Sequence, residues 1–504
     1  MQKTFCSLLI AAAFSGSALA PAAFAKPAAP AAAKSSKASK ANEAATARLY
    51  AALVKGPEPK LAELAMFMTQ LPKGGDLHHH YSGAIYAEQY LEWVGKMGYC
   101  VNKISLRIET DKAVAESQKA LKPAEKTCLS TQEVLADDFT LSQVLQKWSS
   151  KDFYNHSGPQ LPPDRTFFDT FGYFGPVSND NFNEGLQVLK RRAIDENVAY
   201  IETMFKMAPP NADDAQWDAA VLAAPDDAAL TAQFKAMQTA LDQDQAFTAR
   251  MTDFVNKVKA ASAGIDDDRF TMRYQTYVLR LLPPSQVFSS MVGAFKSAQQ
   301  SGGLIVGVNI VGQESQYISM RDYTLHMKMF QYLHALYPDV KLALHAGELS
   351  LGMVPPEGMK FHIQQAVDVA GASRIGHGID LAYEADPVTL MKTMKDKGIA
   401  VEINLTSNGF INGVSGANHP ITLYRKFGVP YVISTDDAGV TRHTLSHEYV
   451  LLASRYQPDY AEVKRVSYNS IRHSFLAGAD KQRLLKQLDA RFATFEAAMA
   501  KRPH

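Results

Sequence analysis

Leu71-Pro-Lys-Gly-Gly-Asp-Leu-His-His-His-Tyr-Ser-Gly83 sets three consecutive histidines between a Gly-Gly entry and a Ser-Gly exit. Read as a short strand, alternation puts His78 and His80 on one face and His79 on the other. Two imidazoles on one face, one residue apart, make half of a metal site. An isolated His-x-His is more often a polar strand end with no ligand. The reading therefore turns on whether the rest of the chain supplies the other half.

Downstream of this strand the hydrophobic pattern alternates between short β-type runs and helical periodicity. Val198–Met204, Arg269–Leu279, Leu304–Ile310, Lys341–His345, Ser373–Gly376, Ala400–Leu405 and Tyr431–Thr435 read as strands, with helical connections between them. With the histidine strand they make eight. Eight strand–helix units point to an α/β fold, a closed (β/α)8 TIM barrel, over an open sheet. Ala44–Gln70 reads as an N-terminal helical extension (residues 46–71), the barrel spans 72–480, and 481–504 is a closing helix. Residues 99–163 are charged and irregular and read as an insertion after the first strand.

The polar residues fall at strand ends. His345 closes the fifth strand in Leu344-His-Ala-Gly-Glu348, His377 the sixth in Arg374-Ile-Gly-His-Gly378, and Asp436 with Asp437 the eighth in Ser434-Thr-Asp-Asp437. In a parallel barrel all C-terminal strand ends open on one face, so these residues converge on one mouth. His78, His80, His345 and Asp436 then suit a borderline divalent ion, with one zinc per subunit the expectation. A bound water would lose its proton near neutral pH. His377 is placed to act as a base or as an electrostatic anchor for that water. The fourth strand carries no lysine that could bridge a second metal.

These motifs, taken together, resemble the adenosine deaminase family within the metal-dependent amidohydrolase barrels. Pro72-Lys-Gly-Gly before His-x-His, and a cysteine-bearing insertion after the first strand, are similar to the secreted, growth-factor-type branch. The resemblance implies that Glu348 shares a proton with purine N1, that His377 orients the attacking water, that Asp437 bonds purine N7, and that the Gly312 N–H meets N3. It implies hydrolytic deamination of adenosine or 2′-deoxyadenosine to the inosine product and ammonia. It also implies that the N-terminal segment and the insertion offer surfaces for a homodimer. Ser82 departs from the family's usual aspartate for the ribose 5′-hydroxyl, so sugar recognition falls to Ser82 itself, the insertion or Phe167–Phe174. Asn404-Leu-Thr-Ser-Asn408 stands where the family usually carries Cys-Pro, and it is expected to shape the mouth without doing chemistry.

Composition narrows the alternatives. Of 504 residues 46% are hydrophobic, enough for a large core, and the formal net charge of +1 gives no reason to expect a nucleic-acid or membrane partner. A nucleotide or N6-modified adenine substrate is the first alternative, but phosphate asks for an Arg/Lys cluster that is not evident beside the motifs. A non-catalytic extracellular nucleoside-binding protein is the second, and it would have no use for the full proton-transfer set.

Residues 1–25 read as a signal peptide, with a short basic start, an apolar run and Ala23-Phe-Ala25 as the cleavage site. Residues 26–45 read as a flexible linker, and the product is expected to be secreted or periplasmic. After cleavage only Cys100 and Cys128 remain, a candidate disulfide in an oxidising compartment.

Overall fold

The computed structural model describes residues 37–155 and 160–502. The expected leader and the expected linker up to residue 36 lie outside the described residues. From Lys37 the chain is already helical, so the linker expected through residue 45 gives way to the helix Lys37–Val54. That helix packs along the last one, Gly478–Met499, with Thr46 Oγ1 donating to the Glu496 carbonyl.

Eight strands form one sheet in sequence order: β1 (Gly74–His80), β2 (Val198–Met207), β3 (Thr271–Leu279), β4 (Ile305–Val311), β5 (Lys341–Ala346), β6 (Arg374–His377), β7 (Ala400–Ile403) and β8 (Tyr431–Ile433). Every neighbouring pair is parallel. The sheet closes through a parallel bridge between His79 and Asp436. There Asp436 N–H donates to the His78 carbonyl at 2.7 Å, and His80 N–H donates to the Asp436 carbonyl at 3.2 Å. This is the (β/α)8 barrel expected from the strand count.

Local sequence explains the alternation. The helix Pro387–Lys397 starts with Asp386 accepting from Thr389 N–H and a proline at its first position. It stops at Gly398, whose φ of +69° only glycine adopts readily, and β7 follows at once. Strands are short and buried: β5 is covered from Leu342 to Ala346, and β6, β7 and β8 are buried throughout. Parallel strands flanked by helices on one face and a packed barrel interior on the other need such continuous burial.

After β1 two helices follow, Tyr81–Ala84 and Ala87–Lys96, separated by extended backbone at Ile85-Tyr86. Two details differ from the sequence reading. The insertion is not irregular throughout. Cys100–Asn102, Ile108–Glu109 and Cys128–Leu129 make a small antiparallel sheet, stapled by a Cys100–Cys128 disulfide. Finally, β7 ends at Ile403, because residues from Leu405 turn into a helix (Leu405–Ile411) rather than prolonging the strand. Among the described residues no helix is long and apolar enough to cross a membrane.

Candidate active site at the barrel mouth

The strand ends bring His78, His80, His345, His377, Asp436, Asp437 and Glu348 to one place. The His78 ring lies 4.5 Å from that of His345, 4.7 Å from that of His377 and 5.4 Å from that of His80, centroid to centroid. His79 is turned away and bonds Thr203 Oγ1 on β2 at 3.0 Å through Nδ1. Backbone strain accompanies the site. His377 (φ +67°) and Asp436 (φ +60°) both sit in the left-handed region, which costs a non-glycine residue on the order of 1–2 kcal/mol. Gly376 is required by close approach, since a Cβ there would lie 2.8 Å from His78 Cε1.

The donor set suits a cation. His78 Nε2 and His80 Nε2 are buried without a hydrogen-bond partner. They lie 3.6 and 3.2 Å from Asp436 Oδ1. The His78 and His345 rings are held from behind. Glu402 Oε2 accepts from His78 Nδ1–H at 2.7 Å, and Asn309 Oδ1 accepts from His345 Nδ1–H at 2.9 Å, so both Nε2 atoms face the cluster. Burial opposes a charge on His78, but Asp436 and Glu402 outweigh it and raise its pKa to about 10. A field that holds a proton on Nε2 also favours a metal ion there. Asp436 is held far below the usual carboxylate range: burial opposes this, and the neighbouring His78 and His80 imidazoles overcome it. His377 lies as close as the others, since its ligand atom falls with those of His78, His345 and Asp436 within 4.8 Å of one another. His80 groups with Asp436 and Asp437.

Two carboxyls behave oppositely to Asp436. Burial, then repulsion from Asp436 and Glu314, raises the pKa of Glu348 well above its ordinary value. Asp437 is likewise raised by burial and by Asp436. Both are therefore biased toward the protonated, donating form, beside an Asp436 biased toward the ionised one. Glu314, to which the sequence reading assigned no role, fixes the loop that carries Glu348: its carboxylate accepts from Gly347 N–H at 3.0 Å and from Glu348 N–H at 2.9 Å.

A polar core fills the barrel beneath the histidines. Arg374 bonds Glu402 and Glu202 at once and stacks 3.7 Å over Phe475. Gln275 Nε2 donates to Glu202 at 3.0 Å, and Asn309 Nδ2 donates to Gln275 Oε1 at 3.0 Å. The sequence reading assigned no role to Glu202, Gln275 or Asn309, although Asn309, the lone polar residue of the apolar strand Ile305–Val311, carries a signal for such a role.

The mouth opens into a cavity of about 770 Å³. Its walls include Ser82, Gly312 (φ +103°) and, from the helix Pro163–Ser178, Phe167, Phe168 and Asp169. The Ser82 carbonyl is occupied by Tyr90 O–H at 2.6 Å.

A profile of the family described as Adenosine deaminase matches residues 233–491, half of the chain. A curated adenosine deaminase from Pseudoalteromonas translucida (strain TAC 125) is 30% identical over 188 residues, 37% of this chain and 51% of that protein. The chain spans about half the length of the curated relatives it matches. Among solved structures, the apo N6-methyl-AMP deaminase from Arabidopsis thaliana is similar with a TM-score of 0.53 and 18% identity, covering 84% of this chain and 98% of that one. An amidohydrolase from Burkhoderia ambifaria with bound Zn is similar with a TM-score of 0.50 and 16% identity, covering 87% and 95%. At these identities the solved structures speak to the fold alone.

Proposed function

Because the chain belongs to the adenosine deaminase family, we propose that it hydrolytically deaminates adenosine or 2′-deoxyadenosine with the help of one zinc ion. The observation that carries this reading is the convergence of His78, His80, His345, His377 and Asp436 with Glu348 and Asp437 in one buried mouth. Purine N1 and N7 are both acceptors. A carboxylate cannot donate to them, and a carboxylic acid can.

In this reading His78, His80, His345 and Asp436 would hold the metal, which would supply an acidified water for the attack. Glu348 donates its proton to N1 and so makes C6 electron-poor at the moment of attack. Asp437 donates to N7, and Gly312 N–H meets N3, so the ring is oriented by three contacts. His377 would orient the oxygen that adds to C6. The apolar walls from Phe167 and Phe168 exclude water from the purine. The sugar faces Ser82 and the helix Pro163–Ser178. Among the described residues Lys206 is the one lysine or arginine in the cavity wall, a sparse provision for a phosphate, so a nucleoside is preferred to a nucleotide.

Export belongs to the proposal as well. It is supported by the leader-like residues 1–25 and by the Cys100–Cys128 disulfide, a bond kept in oxidising compartments. N-terminal sequencing of the mature protein tests it, with Lys26 expected as the first residue.

The decisive experiment follows the loss of adenosine absorbance with purified protein, before and after chelation and after zinc is restored. Activity that is lost and regained with zinc supports the proposal. Turnover of AMP or N6-methyl-AMP in preference to adenosine would replace the substrate, and binding of adenosine without turnover by the zinc-loaded protein would replace the enzyme reading altogether.

A further inference from the structure

Behind His377 runs a line of hydrogen bonds whose directions are fixed from one end to the other. Ile421 N–H, an obligatory donor, points at His419 Nδ1 at 3.1 Å. His419 is buried, which drops its pKa to about 3, with Arg455 adding to the effect, so the ring is neutral. A neutral ring that accepts at Nδ1 must carry its hydrogen on Nε2. His419 Nε2–H therefore donates to Asn408 Oδ1, 3.1 Å away. With its oxygen committed to His419, Asn408 turns its amide nitrogen to His377 Nδ1 at 2.9 Å. The Asn404 amide nitrogen faces the same atom from 3.4 Å. His377 Nδ1 is thus an acceptor, and its ring hydrogen lies on Nε2, which faces Asp436 Oδ2 at 3.9 Å and the cluster of imidazoles.

We propose that Asn408 and His419 are positioning residues that lock His377 in the Nε2–H tautomer, making it a hydrogen-bond donor toward the reacting oxygen. The inference rests on the proposed deaminase reading for its kinetic consequence, but not for the tautomer itself. It separates His377 from its four neighbours, because a nitrogen that carries a hydrogen has no lone pair for a metal. His377 is therefore excluded as a ligand despite its closeness. It also gives Asn408 a part in the chemistry, whereas the Asn404–Asn408 stretch was expected only to shape the mouth.

The direct test is nitrogen NMR of the zinc-loaded full chain labelled at histidine, with the His377 signals assigned by their disappearance in His377→Gln. A protonated Nε2 and a bare Nδ1 are expected, and a protonated Nδ1 would overturn the proposal. Asn408→Asp is the same size but can only accept, so it should pull the hydrogen to Nδ1. It is expected to lower kcat by at least about 100-fold, the scale of a misdirected proton-transfer group, with KM changed less than about threefold and zinc content unchanged. His419→Gln keeps an N–H donor and is expected to retain the tautomer, whereas His419→Phe should lose it. An unchanged His377 spectrum in both Asn408→Asp and His419→Phe would also sink the relay. A wild-type protein that shows the expected tautomer yet deaminates no adenine compound would refute the enzyme reading and leave the relay standing.

Discussion

His78 Nδ1 and His345 Nδ1, carried by strands on opposite sides of the barrel, are the two ends of one unbroken hydrogen-bonded chain. It passes from His78 to Glu402, Arg374, Glu202, Gln275 and Asn309 before reaching His345. Five strands contribute between the two histidines, so the rings are oriented by the barrel interior and not by their own strands alone. Such outer partners set ligand basicity and ring orientation together.

Glu402→Gln should weaken zinc binding by about 10–100-fold, the usual cost of losing a carboxylate behind a ligating histidine. Competition with a chromogenic chelator measures it. An affinity equal to that of the wild type would mean that Glu402 does not act on His78.

Arg374→Lys is not a conservative change here. A single ammonium cannot reach Glu202 and Glu402 with the geometry of a planar fork, and both carboxylates are fully buried. Leaving one of them uncompensated should cost about 3–5 kcal/mol. Urea unfolding of the metal-free protein reads this directly, and a loss below about 1 kcal/mol would contradict the network.

Gly83→Ala should damage substrate handling without touching the metal. A Cβ at Gly83 would lie 1.4 Å from Asp437 Oδ1, so Asp437 must swing away. A fall in kcat/KM of about tenfold or more corresponds to the loss of a hydrogen bond to a substrate group. Zinc content should stay at the wild-type level. Normal kinetics would show that Asp437 is not needed where it now stands.

Glu348→Gln should keep its metal and lose about 10²–10⁴ in kcat, because an amide can bond N1 but cannot transfer a proton to it. The pH profile follows from the raised pKa of Glu348. The protonated acid is the working form, so it is fully present on the acid side of that pKa. Activity should decline as pH rises through it, giving an alkaline limb. A profile flat to high pH, or undiminished turnover in the variant, would remove Glu348 from the proton-transfer role.

Much of the fold was legible because strand and helix periodicities are local. Val198–Met204 and Lys341–His345 show their burial in their own composition, and Asp386-Pro387 with Gly398 marks both ends of a helix. Where local signals run short, a tertiary contact decides. Leu405 continues the apolar run of β7 and reads as part of the strand, yet its N–H donates to the Glu448 carboxylate at 2.6 Å at the start of a helix. The small antiparallel sheet of the insertion rests on two- and three-residue strands that are too short to carry a period.

The sequence by itself determined the chemistry of the mouth. A parallel barrel sends every strand's C-terminal end to one face, so His78, His80, His345, His377 and the Asp436-Asp437 pair had to meet once eight strands were counted. Only the tertiary structure decided which atoms those rings present. Asn309, Glu202 and Gln275 are polar residues in separate strands, and Asn408 and His419 lie in a connecting segment, with nothing in their spacing to pair them. The roles of donor and acceptor pass between residues distant in sequence, and a hydrogen bond's direction depends on every partner beyond it. That dependence is why the Nδ1 partners of His78, His345 and His377 emerge only in three dimensions.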